Sequence, residues 1–196
     1  MSLERQAVVQ EALNLLNEVG VEGLTTRRLA KALGVQGPAL YWHFKNKQEL
    51  LDDMAQAIIR DAYGPISPGR DWAEWLAEGA RRVRRAMLSY RDGARILAGF
   101  RPKTPMGRFD QAPWFESLSR AGFKETDALW AMLAVGLFTL GWTMDEQAAQ
   151  DRNASPKSRA HADEGFEFGL QTVMLGLKAR LAGALPAPTV QTPELG

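Results

Sequence analysis

The chain has 196 residues, 45% hydrophobic and 24% charged, with a net charge of +1 and no cysteine. That length suits one or two small domains of ordinary globular composition. Disulfide and thiolate chemistry are excluded, and bulk charge alone points to no acidic partner.

The N-terminus, "MSLERQAVVQEALNLL", lacks the layout of a signal peptide, because Glu4 and Arg5 interrupt it and its apolar residues are periodic. Nothing along the chain reads as a sheet. Val9, Ala12, Leu13, Leu16 and Val19 recur at helical spacing, and Gly20 follows as a stop, with "EVGVEGL" as a loop. Thr25 is placed to cap a second helix that buries Leu29, Ala32 and Leu33, and Gly34 sits where that helix needs a left-handed residue. A third, short helix runs over "PALYWHF", with Gly37 at its start and Pro38 in a first turn that requires no N–H. Asn46 with Glu49 three residues on is a capping box for a long fourth helix, whose apolar face is Leu50, Leu51, Met54, Ala57 and Ile58.

The two prolines and two glycines of Tyr63 to Asp71 mark a junction. Beyond it, "WAEWLAEGARRVRRAML" is one helix and "DGARILAGF" a shorter one ending at Arg101 and Pro102. "KTPMGRFDQAP" is a loop or broken helix, and "WFESLSRAG" is a helix stopped by Gly122. Thr126 to Gln150 is strongly apolar. Its greasiest part, Ala128 to Trp142, is shorter than the ~20 residues of a spanning helix, so it is expected to be a buried helix. "DRNASPKSRAHAD" reads as a polar, mobile connector, Glu164 to Leu181 as a last helix, and residues 184–196 as a tail without a core pattern.

Two short helices joined by a tight glycine turn and braced by a first helix make a helix-turn-helix. Between Thr25 and Lys47 the basic residues Arg27, Arg28, Lys31, Lys45 and Lys47 meet no Asp or Glu. Such a window suits a phosphate backbone, where each neutralised phosphate releases counterions. Tyr41, Trp42 and His43 are consecutive, so on a helix they point about 100° apart and cannot all be buried. With Leu40 and Phe44 anchoring the helix, those three side chains can lie in a major groove, the Tyr and His groups reaching phosphates and the aromatic bodies packing on sugars and thymine methyls. Small Gly37 and Ala39, beside Pro38, allow close approach to the bases. Thr25, Thr26 and the free N–H groups of the second helix can hold a phosphate. Arg27 is the candidate for a bidentate guanine contact, and Lys47 for a phosphate. The alternative, that Tyr41 and Trp42 seal a three-helix core, leaves the missing acids unexplained.

"GLTTRRLAKALGVQGPALYWHFKNKQELLD" closely resembles the DNA-binding domain of the tetracycline repressor (TetR) family of bacterial transcriptional regulators, almost residue for residue. "YRDGARILAGFRP" and "AVGLFTLGWTMDEQ" resemble its ligand-binding core more faintly. The resemblance implies a homodimer on palindromic double-stranded operator DNA, released when a small molecule binds the C-terminal domain. Gly37 and Ala39 stand where the family's tetracycline-binding prototype has Gln and Thr, so a different operator is expected. In the pocket, Leu97 replaces the prototype's imidazole ligand of magnesium. Tyr63, Gly79 and Val83 replace a His, an Asn and a Phe. Phe100 replaces a Thr, Trp114 a Gln and Asp145 a Glu, while Arg101 and Pro102 are retained. A hard cation needs oxygen or imidazole ligands in number, so no metal and no cofactor are expected. Leu97, Phe100, Trp114, Leu129 and Met132, with Met87 nearby, would line an apolar, aromatic pocket, and Arg101 would supply one polar contact.

The arginine run Arg81, Arg82, Arg84 and Arg85 reads as a solvated face paired to acids of neighbouring helices. His43 and His161, far apart and without cysteine, make no zinc site. Asp145 and Glu146 read as a helix C-terminal surface. No nucleophile–base pair or phosphate loop is present, so an enzyme is not expected. The sequence therefore predicts an all-α protein of nine or ten helices. Residues 1–46 form the DNA-binding domain and residues 47–183 a ligand-binding and dimerisation domain, with 47–63 as the connecting helix. The predicted dimer forms through the helices near 126–150 and 164–181, and the predicted setting is cytoplasmic, with no membrane partner. The function expected is ligand-responsive repression; the alternative is a similar regulator that activates or acts without an inducer.

Overall fold

The computed structural model describes residues 4–60, 62, 71–100, 112–150 and 156–185, with the backbone alone described at 112–115, 150 and 156–159. Among these residues the chain forms nine α-helices and no strand: α1 (Arg5–Gly23), α2 (Thr26–Ala32), α3 (Gly37–Tyr41), α4 (Lys47–Arg60), α5 (Trp72–Leu88), α6 (Gly93–Ala98), α7 (Ala112–Arg120), α8 (Glu125–Gln150) and α9 (Pro156–Leu181). The all-α expectation holds.

Two hydrophobic clusters organise the chain. In the first, Leu13, Leu16, Leu24 and Leu29 of the N-terminal segment pack with Leu40, Phe44, Met54 and Ile58, and continue without a break into Val83 and Met87 of α5, Ile96 of α6 and Phe100 just beyond it. Each such side chain contributes about 1.5–3 kcal/mol when fully buried. In the second, Trp75, Leu76 and Ala80 of α5 pack with Leu118, Met132, Val135, Phe166 and Leu170 of α7, α8 and α9. α5 belongs to both and is the shared wall between them.

Several boundaries differ from expectation. Gly20 breaks the helix, with φ 68 and ψ 177, but one more helical turn follows to Gly23 in place of a loop. In α2 it is Ala30, not Ala32, that is buried beside Leu29. α3 is a single turn ending at Tyr41, with Trp42 as its C-cap. α9 begins at Pro156, so "PKSRAHAD" is helix; residues 151–155 lie outside the described residues. Polarity suggested a connector there, but proline in a first helical turn costs no hydrogen bond.

The apolar helix expected from Thr126 to Gln150 is present as α8, but it is buried on one side only. α8 has 26 residues and is long and apolar enough to cross a membrane by length and composition, with a third of that stretch buried. One side, Ala128, Ala131, Met132, Val135, Thr139 and Thr143, is buried, and the two threonine hydroxyls donate to carbonyls one turn back at 2.7 Å. The other side exposes Trp130, Leu137 and Met144.

Candidate functional site

The helix-turn-helix is built by local signals. Thr25 caps α2, its Oγ1 accepting the Arg28 N–H at 3.2 Å, which leaves the hydroxyl hydrogen to donate elsewhere. The Arg28 guanidinium turns back to the Gly23 carbonyl at 3.0 Å, whereas Arg27 is exposed. α2 stops in a Schellman arrangement. Gly34 takes φ 65, Val35 N–H donates to Ala30 O at 3.0 Å and Gly34 N–H to Lys31 O at 3.2 Å.

α3 follows at once. Leu40 and Phe44 are each 4% exposed, whereas Tyr41 is 59% and Trp42 88% exposed. These values exclude the alternative that Tyr41 and Trp42 seal the core. Thr25, Pro38 and Lys47 are exposed, and Thr26, Gly37, Ala39 and His43 are half-buried. At the start of α4, Asn46 Oδ1 accepts the Glu49 N–H at 2.9 Å, and the Glu49 carboxylate accepts the N–H of Lys45, the residue before the cap, at 2.8 Å. That backbone donor, and then Arg5, hold the Glu49 carboxyl below the usual carboxylate range.

The residues expected to line an effector pocket divide between the two clusters. Val83 and Phe100 are buried in the first, with Leu97 packed against it, and Met132 is buried in the second. Gly79 is buried on α5 and Leu129 is half-buried on α8. Trp114 lies on α7, and Tyr63, Arg101 and Pro102 lie outside the described residues. None of Gly79, Val83, Leu97, Phe100, Leu129 and Met132 carries a side-chain oxygen or ring nitrogen. No group of three or more His, Asp or Glu placed to share a metal occurs among the described residues. This donor set does not fit a hard cation.

Polar contacts tie this region to α4 at one end of α6 and to α1 at the other. At its C-terminal end, the Gln48 side chain of α4 donates to the Gly99 carbonyl at 3.0 Å. At its N-terminal end, Gln147 of α8 accepts the Ala94 N–H at 2.9 Å and donates to the carbonyls of Met87 and Tyr90 at 3.1 and 2.8 Å. Asp92, with φ 57, accepts the Val21 N–H at 2.8 Å, and Arg95 bridges Asp92 and Glu22. A Cβ at Gly20 would lie 2.9 Å from the same Asp92 carboxylate, so glycine serves both the break in α1 and this contact. No local pattern marks Gln48 or Gln147, because their partners lie more than fifty residues away.

Arg81 pairs with a neighbouring helix as expected, with Glu167 of α9 at 2.7 Å, whereas Arg82 and Arg85 pair with Glu78 of their own helix. Arg84 is a correction. It is buried, forks onto Glu146 at 2.9 Å, reaches Asp163 and lies over the Phe166 ring. Glu146 is therefore a buried partner of α5 and not helix-end surface, whereas Asp145 is exposed.

Comparison with known proteins places this geometry. The family described as bacterial regulatory proteins, tetR family, matches residues 8–54, and the tetracyclin repressor-like C-terminal domain matches residues 65–162. The chain is 47% identical to the tetracycline repressor protein class C of Escherichia coli over 93% of its own length and 80% of that protein. It superposes on TetR class A in complex with 5a,6-anhydrotetracycline and magnesium with a TM-score of 0.74 at 40% identity, covering 90% of this chain and 98% of the other. Against BioQ with its double-stranded DNA operator the TM-score is 0.72 at 35% identity, covering 90% and 99%. The exposed aromatic pair thus lies within the matched N-terminal segment of a chain that belongs to the TetR family of bacterial transcriptional regulators.

Proposed function

We propose that this protein is a ligand-responsive transcriptional repressor that works as a homodimer on a palindromic operator in the cytoplasm. Residues 1–46 read DNA, residues 47–183 bind the effector and dimerise, and 47–63 connect the two. The observation that carries this reading is the division of one helical turn and its C-cap: Leu40 goes inward while Tyr41 and Trp42 go outward, in a window of five cations and no acids. α3 enters the major groove. Arg27, Gly37, Pro38, Ala39, Tyr41, Trp42 and His43 meet bases and sugars, and Thr25, Thr26 and Lys47 hold phosphates.

The partner copy covers the exposed apolar faces of α8 and α9, where Trp130, Leu137 and Met144, and Phe168 and Leu175, repeat at seven-residue intervals. Two turns of each helix separate these residues, so each row forms one stripe suited to a four-helix bundle.

The effector is a small apolar or aromatic molecule seated near Leu97 and Phe100, held without a metal bridge from the described pocket positions. Tyr63, Gly79, Val83, Arg101, Pro102, Trp114, Leu129 and Met132 complete its surroundings. Binding displaces the C-terminal end of α6, which holds α4 through Gln48 and Gly99. Movement of α4 then changes the spacing of the two recognition helices. The effector needs only to bind this second arrangement more tightly than the first.

The burial of Val83, Phe100 and Met132 favours a second reading, in which side chains fill the pocket and no small ligand is needed. Thermal shifts across a library of apolar compounds separate the two: a saturable rise in Tm supports the first, and none across the library supports the second. DNA reading is tested by Tyr41→Ala and Lys47→Ala, each expected to weaken operator binding by about 1–3 kcal/mol in titrations at fixed salt. Unchanged affinity in both would remove α3 as the reader.

A further inference from the structure

α1 opens with Arg5, and its guanidinium reaches across the reading domain in three directions. Nε donates to Asp53 Oδ2 at 2.6 Å, Nη2 to Glu49 Oε1 at 3.0 Å, and Nη1 to the backbone carbonyl of His43. The same group lies over the Phe44 ring, 4.3 Å from its centroid. Asp53 and Glu49 belong to α4, and His43 and Phe44 to the turn that leads from α3 into it. Only a planar fork of donors can meet these three acceptors at once; an ammonium group is a single point.

Two features separate this group from a DNA contact. Its charge is answered by two carboxylates, which leaves it a poor ligand for phosphate. It is also half-exposed, as are its acidic partners in part, and exposed ion pairs add little to stability. What the fork does is fix geometry. α3 is only one turn long, so its downstream end depends on Leu40, Phe44 and this clamp. The clamped segment carries His43 and leads directly to Lys47. Glu49 reinforces it by accepting the Lys45 N–H while it holds Arg5.

We propose that Arg5 is a positioning residue for DNA recognition, holding the turn from His43 to Lys47 in register and acting on the operator through that turn, without touching phosphate. The proposal rests on the repressor reading above.

The test uses the full-length chain. The probes are a duplex carrying the sequence that the wild-type chain selects from a random library and a random duplex of the same length. Both Arg5→Gln and Arg5→Lys should weaken binding to the selected duplex about tenfold, and Arg5→Gln should add much less than that to His43→Ala, because residues acting through one contact are not additive. Binding to the random duplex should stay within about threefold, since its affinity comes from phosphate contacts that Arg5 does not make. Melting curves should be close to wild type for both variants.

If Arg5→Lys restores wild-type affinity, or if selected and random duplexes are lost together, charge on phosphate is the role and the proposal is overturned. A lowered Tm with unchanged affinity per folded dimer reduces Arg5 to a structural role and also overturns it. Failure of the repressor reading shows separately and earlier, as a wild-type chain that selects no sequence.

Discussion

Gly37 opens the recognition helix at a place where the fold needs no glycine. Its φ is not left-handed, and a Cβ there would meet nothing within 4 Å. Gly37→Gln is therefore expected to leave stability unchanged or raise it by up to about 1 kcal/mol, while changing which bases the protein prefers. Parallel melting curves and sequence selection check this; a destabilised variant with unchanged preference contradicts it. The contrast between Tyr41, Trp42 and their neighbours was legible because three bulky consecutive residues cannot share one buried face, and Leu40 and Phe44, four apart, had to be the inward pair. Arg5 and Glu146 were not legible. Their partners lie 38 to 62 residues away, and nothing in local periodicity marks a charged residue that pairs across the fold.

At the scale of elements, the turn between α5 and α6 is a fixed point. Gln147 satisfies three backbone groups there, and Asp92 and Arg95 tie it to the end of α1. At the far end of α6 Gln48 donates to the Gly99 carbonyl, and in the proposed mechanism a push near Leu97 moves this end relative to the anchored N-terminal end. Gln147→Leu removes the acceptor of the Ala94 N–H, while the Met87 and Tyr90 carbonyls keep backbone donors, and the loss costs about 1–3 kcal/mol. Hydrogen exchange should speed up over residues 93–98 and stay unchanged in α2 and α3. Equal protection of α6 in both proteins would remove Gln147 as the anchor. Helix identities were readable from periodicity and caps: Thr25, Gly34, Asn46 and Asp71 sit at boundaries for ordinary reasons. The early start of α9 and the extra turn after Gly20 were not readable, because tertiary contacts to α5, α8 and Asp92 override weak local signals.

For the whole molecule, the proposed assembly rests on the stripes on α8 and α9. Phe168→Glu, on a side chain the monomer leaves exposed, should leave each chain folded and yield monomers in sedimentation, with operator affinity falling because one reader replaces two. A dimer that persists would place the interface elsewhere. The stripe was foreseeable as excess apolarity, since α8 and α9 carry more than a surface helix needs, whereas the split of the pocket residues between two clusters depends on α5 serving both and has no counterpart in sequence order. The central claim is that the chain reads a specific palindrome. It is tested most directly by selecting bound sequences from random DNA with the purified protein at fixed salt. The account predicts two inverted half-sites, one for each recognition helix. Recovery of no motif, with binding that only weakens as salt rises, would mean that the basic window holds phosphate without reading bases, and would contradict it.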